Sequence, residues 1–316
     1  MKGARQTTLR DQTAVAGIGV HSGLPVRLTL NPADDDTGIV FQRITSDGSV
    51  GREIRADVRA VTATEFATVL GDAKGPLCST AEHLLAALRG LAVDNVLVEL
   101  DGPEVPIMDG SAAAFVDAID TAGLTPRATP RRYIKVLKPV RVSMDEAHGE
   151  LRPNEECFRV EAEIEFDHPL IGRQALSLDV EPDTFRREIA RARTFGFMRD
   201  VAKLWSAGYA LGASFDNTLV ITEDRVLNPD GLRYADEFVR HKVLDAIGDL
   251  ALAGLPLLAT YRTVRGGHKL NHAVLLALMA DQAAWTVVEG EPVRRRRGHA
   301  DVTVGMPAPA YSPEIS

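Results

Sequence analysis

Alternating apolar and polar positions predict short β-strands in both halves of the chain. VRLTLNPA at 26–33 alternates strictly, and GIVFQRI at 38–44 follows a DDDTG turn. Further strands are predicted at 95–100, 133–143, 158–166 and 256–264. We therefore expect a sheet in each half.

Ala- and Leu-rich stretches predict helices between and after these strands. The predicted helices lie at 79–91, 111–123, 237–253 and 268–285, and a further helical segment begins within 181–195. In each half, strands are followed by a helix, another strand, a glycine-bearing loop and a second helix. This order predicts an α+β fold, a duplicated βααβ arrangement in which two helices cover one sheet face and the halves meet face to face. A pocket shared between the halves suits such an arrangement.

A proline-containing stretch, TPRATPRR at 125–132, is interpreted as a linker between the halves. We expect a first domain at 1–126, a second at 127–292 and a flexible tail at 293–316. The tail contains RRRR at 294–297, which is typical of solvated surface. A role at a membrane surface or on a phosphate group is the alternative.

Composition and charge exclude several classes of protein. The 316 residues carry a net charge of −8, so no overall basic field draws the chain to nucleic acid. Two cysteines give no disulfide scaffold. No run of eighteen apolar residues predicts a transmembrane helix, and the first twenty residues lack the apolar region of a signal peptide. We therefore expect a cytoplasmic protein.

One apolar helix carries a stripe of polar residues. In FVRHKVLDAIGDLALAGL (238–255), His241, Asp245 and Asp249 follow each other at intervals of four, about 40° apart around the helix. The apolar positions around them predict burial, and buried carboxylates need a cation, a metal or a hydrogen-bond donor. A divalent metal held by His241 and Asp245 fits this spacing.

A second pair of candidates lies in STAEHLLAAL, where Glu82 and His83 begin an apolar helix. Ser79 and Glu82 fit a capping box, which is the structural interpretation of Glu82. His83 with His241 and Asp245 would complete a shell of two histidines and one carboxylate. Catalytic Zn²⁺ commonly takes three protein ligands and leaves a position for water, and Fe²⁺ uses a similar set. Glu82 would then be placed to accept a proton from that water.

Two further stretches offer polar groups to such a site. His268 follows two glycines in VRGGHKLNH, and Asp249 would favour its cationic form. The cation would stabilise an oxyanion and protonate a leaving amine; an exposed histidine in a turn is the alternative. Thr194 in ARARTFGFMRD either polarises a carbonyl or caps the next turn. The apolar side of 197–221 indicates either core or the lining for an acyl chain.

Six ordered motifs extend over nearly the whole chain. They are TLRDQTAVAGIGVHSG, STAEHLLAAL, VPIMDGSAAAFVDAI, ARARTFGFMRD, RVLNPDGLRYADEFVRHKVLDAIGDLALAG and GHKLNH. With them the chain resembles the zinc-dependent UDP-3-O-acyl-N-acetylglucosamine deacetylases of bacterial lipid A synthesis. The resemblance implies two βααβ domains with helices packed between sheets and an inserted element in each. It places a hydrophobic acyl passage in the second insert, at about 196–226.

The resemblance also implies roles for individual residues. It assigns the metal to His83, His241 and Asp245, with Zn²⁺ the ion implied and Fe²⁺ not excluded. The implied catalytic groups are the general base Glu82, the cationic His268, its partner carboxylate Asp249, and Thr194 at the reacting carbonyl. Phe195 and Lys242 match positions that line the substrate site, and His21 lies in a matching N-terminal motif.

The substrate implied is the UDP-linked, acylated N-acetylglucosamine, with no nucleic-acid or membrane-spanning partner and a monomeric chain. Lys269 and His272 depart from the family pattern just after the catalytic histidine, where they would affect nucleotide contacts. Two other functions remain open: another metal-dependent amidohydrolase on the same scaffold, and a non-catalytic sugar-nucleotide-binding protein with a structural zinc.

Overall fold

The computed structural model describes residues 5–290, and the predicted tail at 293–316 lies outside them. The strands are β1 (Arg5–Leu9), β2 (Thr13–Ile18), β3 (Pro25–Pro32), β4 (Ile39–Ile44), β5 (Val50–Arg55), β6 (Val61–Ala63), β7 (Val69–Asp72), β8 (Gly75–Cys78), β9 (Val96–Leu100), β10 (Leu124–Pro130), β11 (Arg132–Val136), β12 (Val140–Met144), β13 (Ala147–Pro153), β14 (Phe158–Glu165), β15 (Arg173–Asp179), β16 (Phe195–Phe197), β17 (Leu219–Ile221), β18 (Leu257–Val264) and β19 (Trp285–Glu289). The helices are α1 (Glu82–Gly90), α2 (Ala113–Ala122), α3 (Pro182–Thr184), α4 (Val201–Ser206), α5 (Glu237–Leu250) and α6 (His268–Ala280).

Two sheets repeat one strand order. The first runs β2-β3-β9-β4-β5, and the second contains β12-β13-β18-β14-β15. In each sheet the only parallel pair among these strands joins the third and fourth in that order, β9 with β4 and β18 with β14. The second sheet is extended beside β18 by β11 and β19. In the first half the corresponding strands, β1 and β10, pair with each other. The predicted duplication is confirmed.

The helices pack between the two sheets. Helix α5 contacts α1, and it also lies against β14 and β15, while α6 contacts β12 and β13. One continuous apolar core includes side chains from both halves, among them Leu84, Leu88, Leu244 and Ile247, all fully buried. The close approach of α1 and α5 depends on Gly248, where a Cβ atom would overlap with the backbone oxygen of Glu82. The α+β sandwich predicted from the sequence is therefore present.

Each half carries an inserted element. In the first half it is the three-stranded sheet β6-β7-β8, which comes directly before α1. In the second it contains α4 and the parallel pair β16-β17, close to the predicted range of 196–226. Among residues 5–290, no helix is long and apolar enough to span a membrane.

Several predicted boundaries are wrong, each for a local reason. The supposed linker at 125–132 forms most of β10, an edge strand paired only with β1 in the described chain, and edge strands tolerate proline. The strand predicted at 133–143 is two strands, because residues 137–139, which include Pro139, separate β11 from β12. The helix predicted at 268–285 ends at Ala280 in a turn, and Trp285 already begins β19. The domain boundary at 126/127 falls within β10 and stays a prediction.

Candidate active site

Two helices, one from each half, bring the predicted residues together. Glu82 and His83 are the first two residues of α1, and His241, Asp245 and Asp249 lie on successive turns of α5. All five residues are buried. The stripe on α5 therefore faces the start of α1, where burial forces each polar group to find a partner.

A possible metal site lies at this contact. The ligand atoms of His83, His241 and Asp245 lie within 4.8 Å of one another. Asp245 Oδ1 is 3.3 Å from His241 Nε2 and 3.7 Å from His83 Nε2, and the two imidazole planes are nearly perpendicular at 87°. The three groups thus point at one small volume.

The chemistry of these donors fits a divalent cation. His241 Nδ1 lies 3.1 Å from the backbone oxygen of Ala192, so that nitrogen donates the hydrogen bond and Nε2 presents its lone pair to the cluster. Burial lowers the pKa of both imidazoles, that of His83 to about 3, which keeps them in the neutral form that binds metals. His83 Nδ1 is buried with no hydrogen-bond partner among the described residues.

Asp245 offers a single oxygen to the cluster. Its other oxygen, Oδ2, accepts a hydrogen bond from Lys242 Nζ at 2.8 Å. Burial opposes ionisation, but nearby positive charges, those of Lys242 and His268, outweigh it and lower the pKa of Asp245, so the carboxylate is charged. The cluster therefore combines two neutral imidazoles with one carboxylate.

Glu82 lies beside the cluster without capping the helix. The residue before α1 is Ala81, which makes no side-chain cap, so the capping-box interpretation is wrong. Instead, Glu82 Oε2 accepts the backbone N–H of Thr68 at 3.0 Å, and Oε1 lies 3.8 Å from His268 Nε2. Burial raises the pKa of Glu82 to about 7, helped by nearby Asp249 and Asp245 and opposed by His268. Such a carboxylate accepts protons near neutral pH.

His268, the first residue of α6, is paired with Asp249. His268 Nδ1 lies 2.9 Å from Asp249 Oδ2. Burial alone would lower the pKa of His268, but the charges of Asp249 and Glu82 and the hydrogen bond to Asp249 raise it to about 10. The imidazole is therefore a cation at neutral pH, with Nε2 facing Glu82. The alternative interpretation of His268, an exposed histidine in a turn, is therefore wrong.

A cavity of about 710 Å³ opens next to these groups. Thr194 and Phe195 line it together with His241 and Lys242. The rest of its wall is mainly apolar and comes from both inserts and the β14–β15 region, including Phe66, Phe166, Phe197, Leu204 and Tyr209. The cavity therefore has an apolar wall on one side and polar groups of the site on the other.

His21 contacts the cavity through another side chain, that of Tyr209. Its Nδ1 accepts the backbone N–H of Ala210 at 3.4 Å, and its ring meets the edge of Tyr209 at 5.4 Å. Tyr209 in turn lines the cavity. His21 therefore supports the wall of the cavity and is not among its lining residues.

Comparisons with known proteins identify the family to which this chain belongs. The family model described as LpxC, UDP-3-O-acyl N-acetylglycosamine deacetylase, matches residues 6–280. This chain belongs to that family. Curated proteins named UDP-3-O-acyl-N-acetylglucosamine deacetylase from Brucella ovis and Brucella abortus are each 50% identical to it over 287 residues, which cover 90% of this chain and 99% of theirs. The protein of that name from Brucella melitensis is 49% identical over the same length.

Two residues that differ from the expected LpxC family pattern follow His268 on the first turns of α6. Lys269 is exposed. His272 Nε2 lies 3.1 Å from the backbone oxygen of Val58, so this side chain joins α6 to the first half. Within residues 5–290, neither side chain forms a hydrogen bond or ion pair with Glu82, Asp249 or the three clustered donors.

Two polar residues that bind the acidic groups were not predicted from the sequence. Thr68 Oγ1 donates to Asp249 Oδ1 at 2.6 Å, and Asn271 Nδ2 donates to Asp249 Oδ2 at 2.8 Å. Asn271 follows His268 by three positions, a spacing that places both on one helix face, and this signal was available. Thr68 lies in an irregular stretch before β7, far from any motif, and only the folded chain brings it to the site.

Proposed function

We propose that this chain hydrolyses the N-acetyl group of UDP-3-O-acyl-N-acetylglucosamine, releasing acetate and UDP-3-O-acyl-glucosamine for lipid A synthesis. The observation that carries the proposal is the placement of Glu82 and cationic His268, 3.8 Å apart, beside the cluster of His83, His241 and Asp245. Family membership and the names of the relatives support the substrate. A base, an acid and a metal site in one place are what amide hydrolysis requires.

The metal proposed for the cluster is Zn²⁺, and Fe²⁺ uses the same kind of donors. A divalent cation bound there would acidify a water molecule and polarise the acetyl carbonyl. Three protein donors are characteristic of catalytic zinc, whereas structural zinc commonly has four. The group of three found among residues 5–290 therefore favours an enzyme over a binding protein with structural zinc.

Glu82 accepts a proton and His268 donates one in the proposed reaction. Glu82 takes a proton from the attacking water through Oε1, since Oε2 is held by the Thr68 N–H. As the carbon–oxygen bond forms, the positive charge of His268 stabilises the developing oxyanion, and the Thr194 hydroxyl hydrogen-bonds to the same oxygen. His268 then gives its Nε2 proton to the leaving amine as the carbon–nitrogen bond breaks. Asp249 keeps His268 charged until that step.

The cavity accounts for the remaining parts of the substrate. Its apolar wall would hold the acyl chain, with Phe195 near the reacting end. Lys242 stays charged, because Asp245 and neighbouring carboxylates raise its pKa despite burial, and it would contact the glucosamine or the diphosphate. His21 would act on this subsite through Tyr209. Cytoplasmic location and a monomeric state stay predictions.

A turnover assay on the UDP-linked substrate tests the proposal. The chain is stripped with a chelator, restored with Zn²⁺ or, without oxygen, with Fe²⁺, and acetate release is measured. We expect turnover only after metal is restored, and much slower turnover of UDP-N-acetylglucosamine without the acyl chain, because remote binding energy contributes to kcat. Absence of acetate release under every metal condition contradicts the proposed function. Equal turnover of simple acetylated amines would instead indicate a different amidohydrolase.

Metal binding should also stabilise the fold. With free Zn²⁺ at about a thousand times its Kd, a site present only in the native state adds about 4 kcal/mol to the free energy of unfolding. For a chain of this size we expect Tm to fall by roughly 5–15 °C on chelation and to recover with Zn²⁺. Calorimetry of wild type and His83→Ala checks this. The variant should show no Zn²⁺-dependent shift, whereas His148→Ala, on β13, should keep it; a shift retained in His83→Ala argues against the assigned ligands.

A further inference from the structure

Thr68 occupies a position where the two halves of the active site meet. It lies at the end of the loop before β7, in the first half, and only 2% of it is exposed. Its backbone oxygen accepts the N–H of Ala81 at 3.2 Å, which ties this loop to the residue preceding α1. Its backbone N–H donates to Glu82 and its hydroxyl to Asp249. One residue thus contacts the proposed base and the carboxylate that holds the proposed acid.

The two hydrogen bonds determine which oxygen of each carboxylate is directed toward His268. On Glu82, Oε2 is engaged by Thr68, so Oε1 is the oxygen that faces His268. On Asp249, Oδ1 is engaged by Thr68, and Oδ2 accepts from both His268 and Asn271. With donors on both oxygens, the Asp249 carboxylate has a single orientation. That orientation fixes the imidazole of His268.

We propose that Thr68 is a positioning residue for the reaction, whose hydroxyl sets the orientation of Asp249 and thereby the separation of His268 from Glu82. The inference rests on the proposed function of Glu82 and His268. A buried threonine hydroxyl is usually satisfied by a backbone group. Here it instead crosses from the first half to a carboxylate on α5, 181 residues away in the chain. Together with the contact between the Thr68 N–H and Glu82, this bond links the proposed base on α1 to Asp249 on α5 and, through it, to His268 on α6.

The hydroxyl can be removed without removing the backbone contact. Thr68→Val keeps the shape of the side chain and the N–H that binds Glu82, but it leaves Asp249 Oδ1 without its donor. Since loss of a group that orients a metal-site or catalytic side chain commonly costs roughly 10–100-fold in activity, we expect kcat of the zinc-restored enzyme to fall by that factor. KM should stay within about threefold of wild type, because substrate contacts are unchanged. Thr68→Ser restores the hydroxyl and should recover most of kcat.

A matched control is available in the same half. Thr8, on β1, is also 2% exposed, and its hydroxyl accepts the backbone N–H of Ala33 at 2.8 Å, away from the site. Thr8→Val therefore removes the hydroxyl of a threonine that is as buried as Thr68. We expect kcat of this variant to stay within about twofold of wild type. Bound metal is measured in every variant, so that loss of the ion is separated from loss of orientation. The ¹H resonance of His268 Nδ1–H should shift in Thr68→Val and stay in place in Thr8→Val.

The outcomes separate the two proposals. If wild type shows no deacetylase activity, the proposed function fails. If wild type is active and Thr68→Val, folded and metal-loaded, retains wild-type kcat with an unshifted His268 resonance, the role of Thr68 is refuted. An equal loss of kcat in Thr68→Val and Thr68→Ser, or in Thr8→Val, also refutes it. Should Thr68→Val not fold, Thr68→Ala removes the same hydroxyl and is judged by the same criteria.

Discussion

Replacing Glu82 by glutamine is expected to lower kcat by roughly 10²–10⁴-fold, the contribution of a general base. Glutamine keeps the size of the side chain and can still accept the N–H of Thr68 through its amide oxygen. It cannot take a proton from water, so only the remaining charge stabilisation acts on the reaction. Acetate release at saturating UDP-linked substrate, measured with zinc content, gives the comparison.

The control for this change is Glu53→Gln. Glu53 is exposed on β5 and accepts a hydrogen bond from Gln42, with no role in the site. It should retain wild-type kcat and zinc content. A Glu82→Gln variant with bound zinc and near wild-type kcat would remove Glu82 from the mechanism.

Replacing His268 by glutamine should cost roughly 10²-fold or more in kcat, because both the cation near the oxyanion and the proton for the leaving amine are lost. The pH profile gives a second measurement. The active form of His268 is protonated. Burial opposes the charge, but Asp249 and Glu82 raise the pKa of His268 well above its ordinary value, so activity persists above neutral pH and falls where the imidazole loses its proton. A bound divalent cation repels the imidazolium and moves this limb to lower pH.

The variant should lack the alkaline limb that His268 produces in wild type. His148→Gln, a change on β13, should keep the limb and the full rate. An unchanged alkaline limb in His268→Gln would assign that titration to another group and contradict the role given to this histidine.

Local periodicity was sufficient to predict part of the site. On α5, His241, Asp245 and Asp249 share one face because their spacing matches the helical repeat, and this holds whatever surrounds the helix. The spacing carried no information on which residue would approach from the other half. His83 was joined to the pair because it completes a shell of two histidines and one carboxylate, an assignment that the family resemblance also implies, and the structure brings its imidazole to the same place.

Interactions between distant segments explain what the sequence did not predict. The capping box at Ser79 and Glu82 satisfied a local rule, yet a tertiary hydrogen bond to Thr68 determines the position of the carboxylate. The stretch at 125–132 has the composition of a linker, but pairing with β1 makes it a strand. Order of elements and duplication were predicted well, because they follow from patterns repeated in both halves. Boundaries and supporting contacts were not, because they depend on partners far along the chain.

The absence of a side chain at Gly248 limits which substitutions the contact between the two halves can accept. No atom larger than hydrogen fits between that residue and the Glu82 carbonyl, so α1 and α5 approach each other until their backbones are in contact. A larger residue at position 248 would therefore push α1 away from α5 and separate His83 from His241 and Asp245.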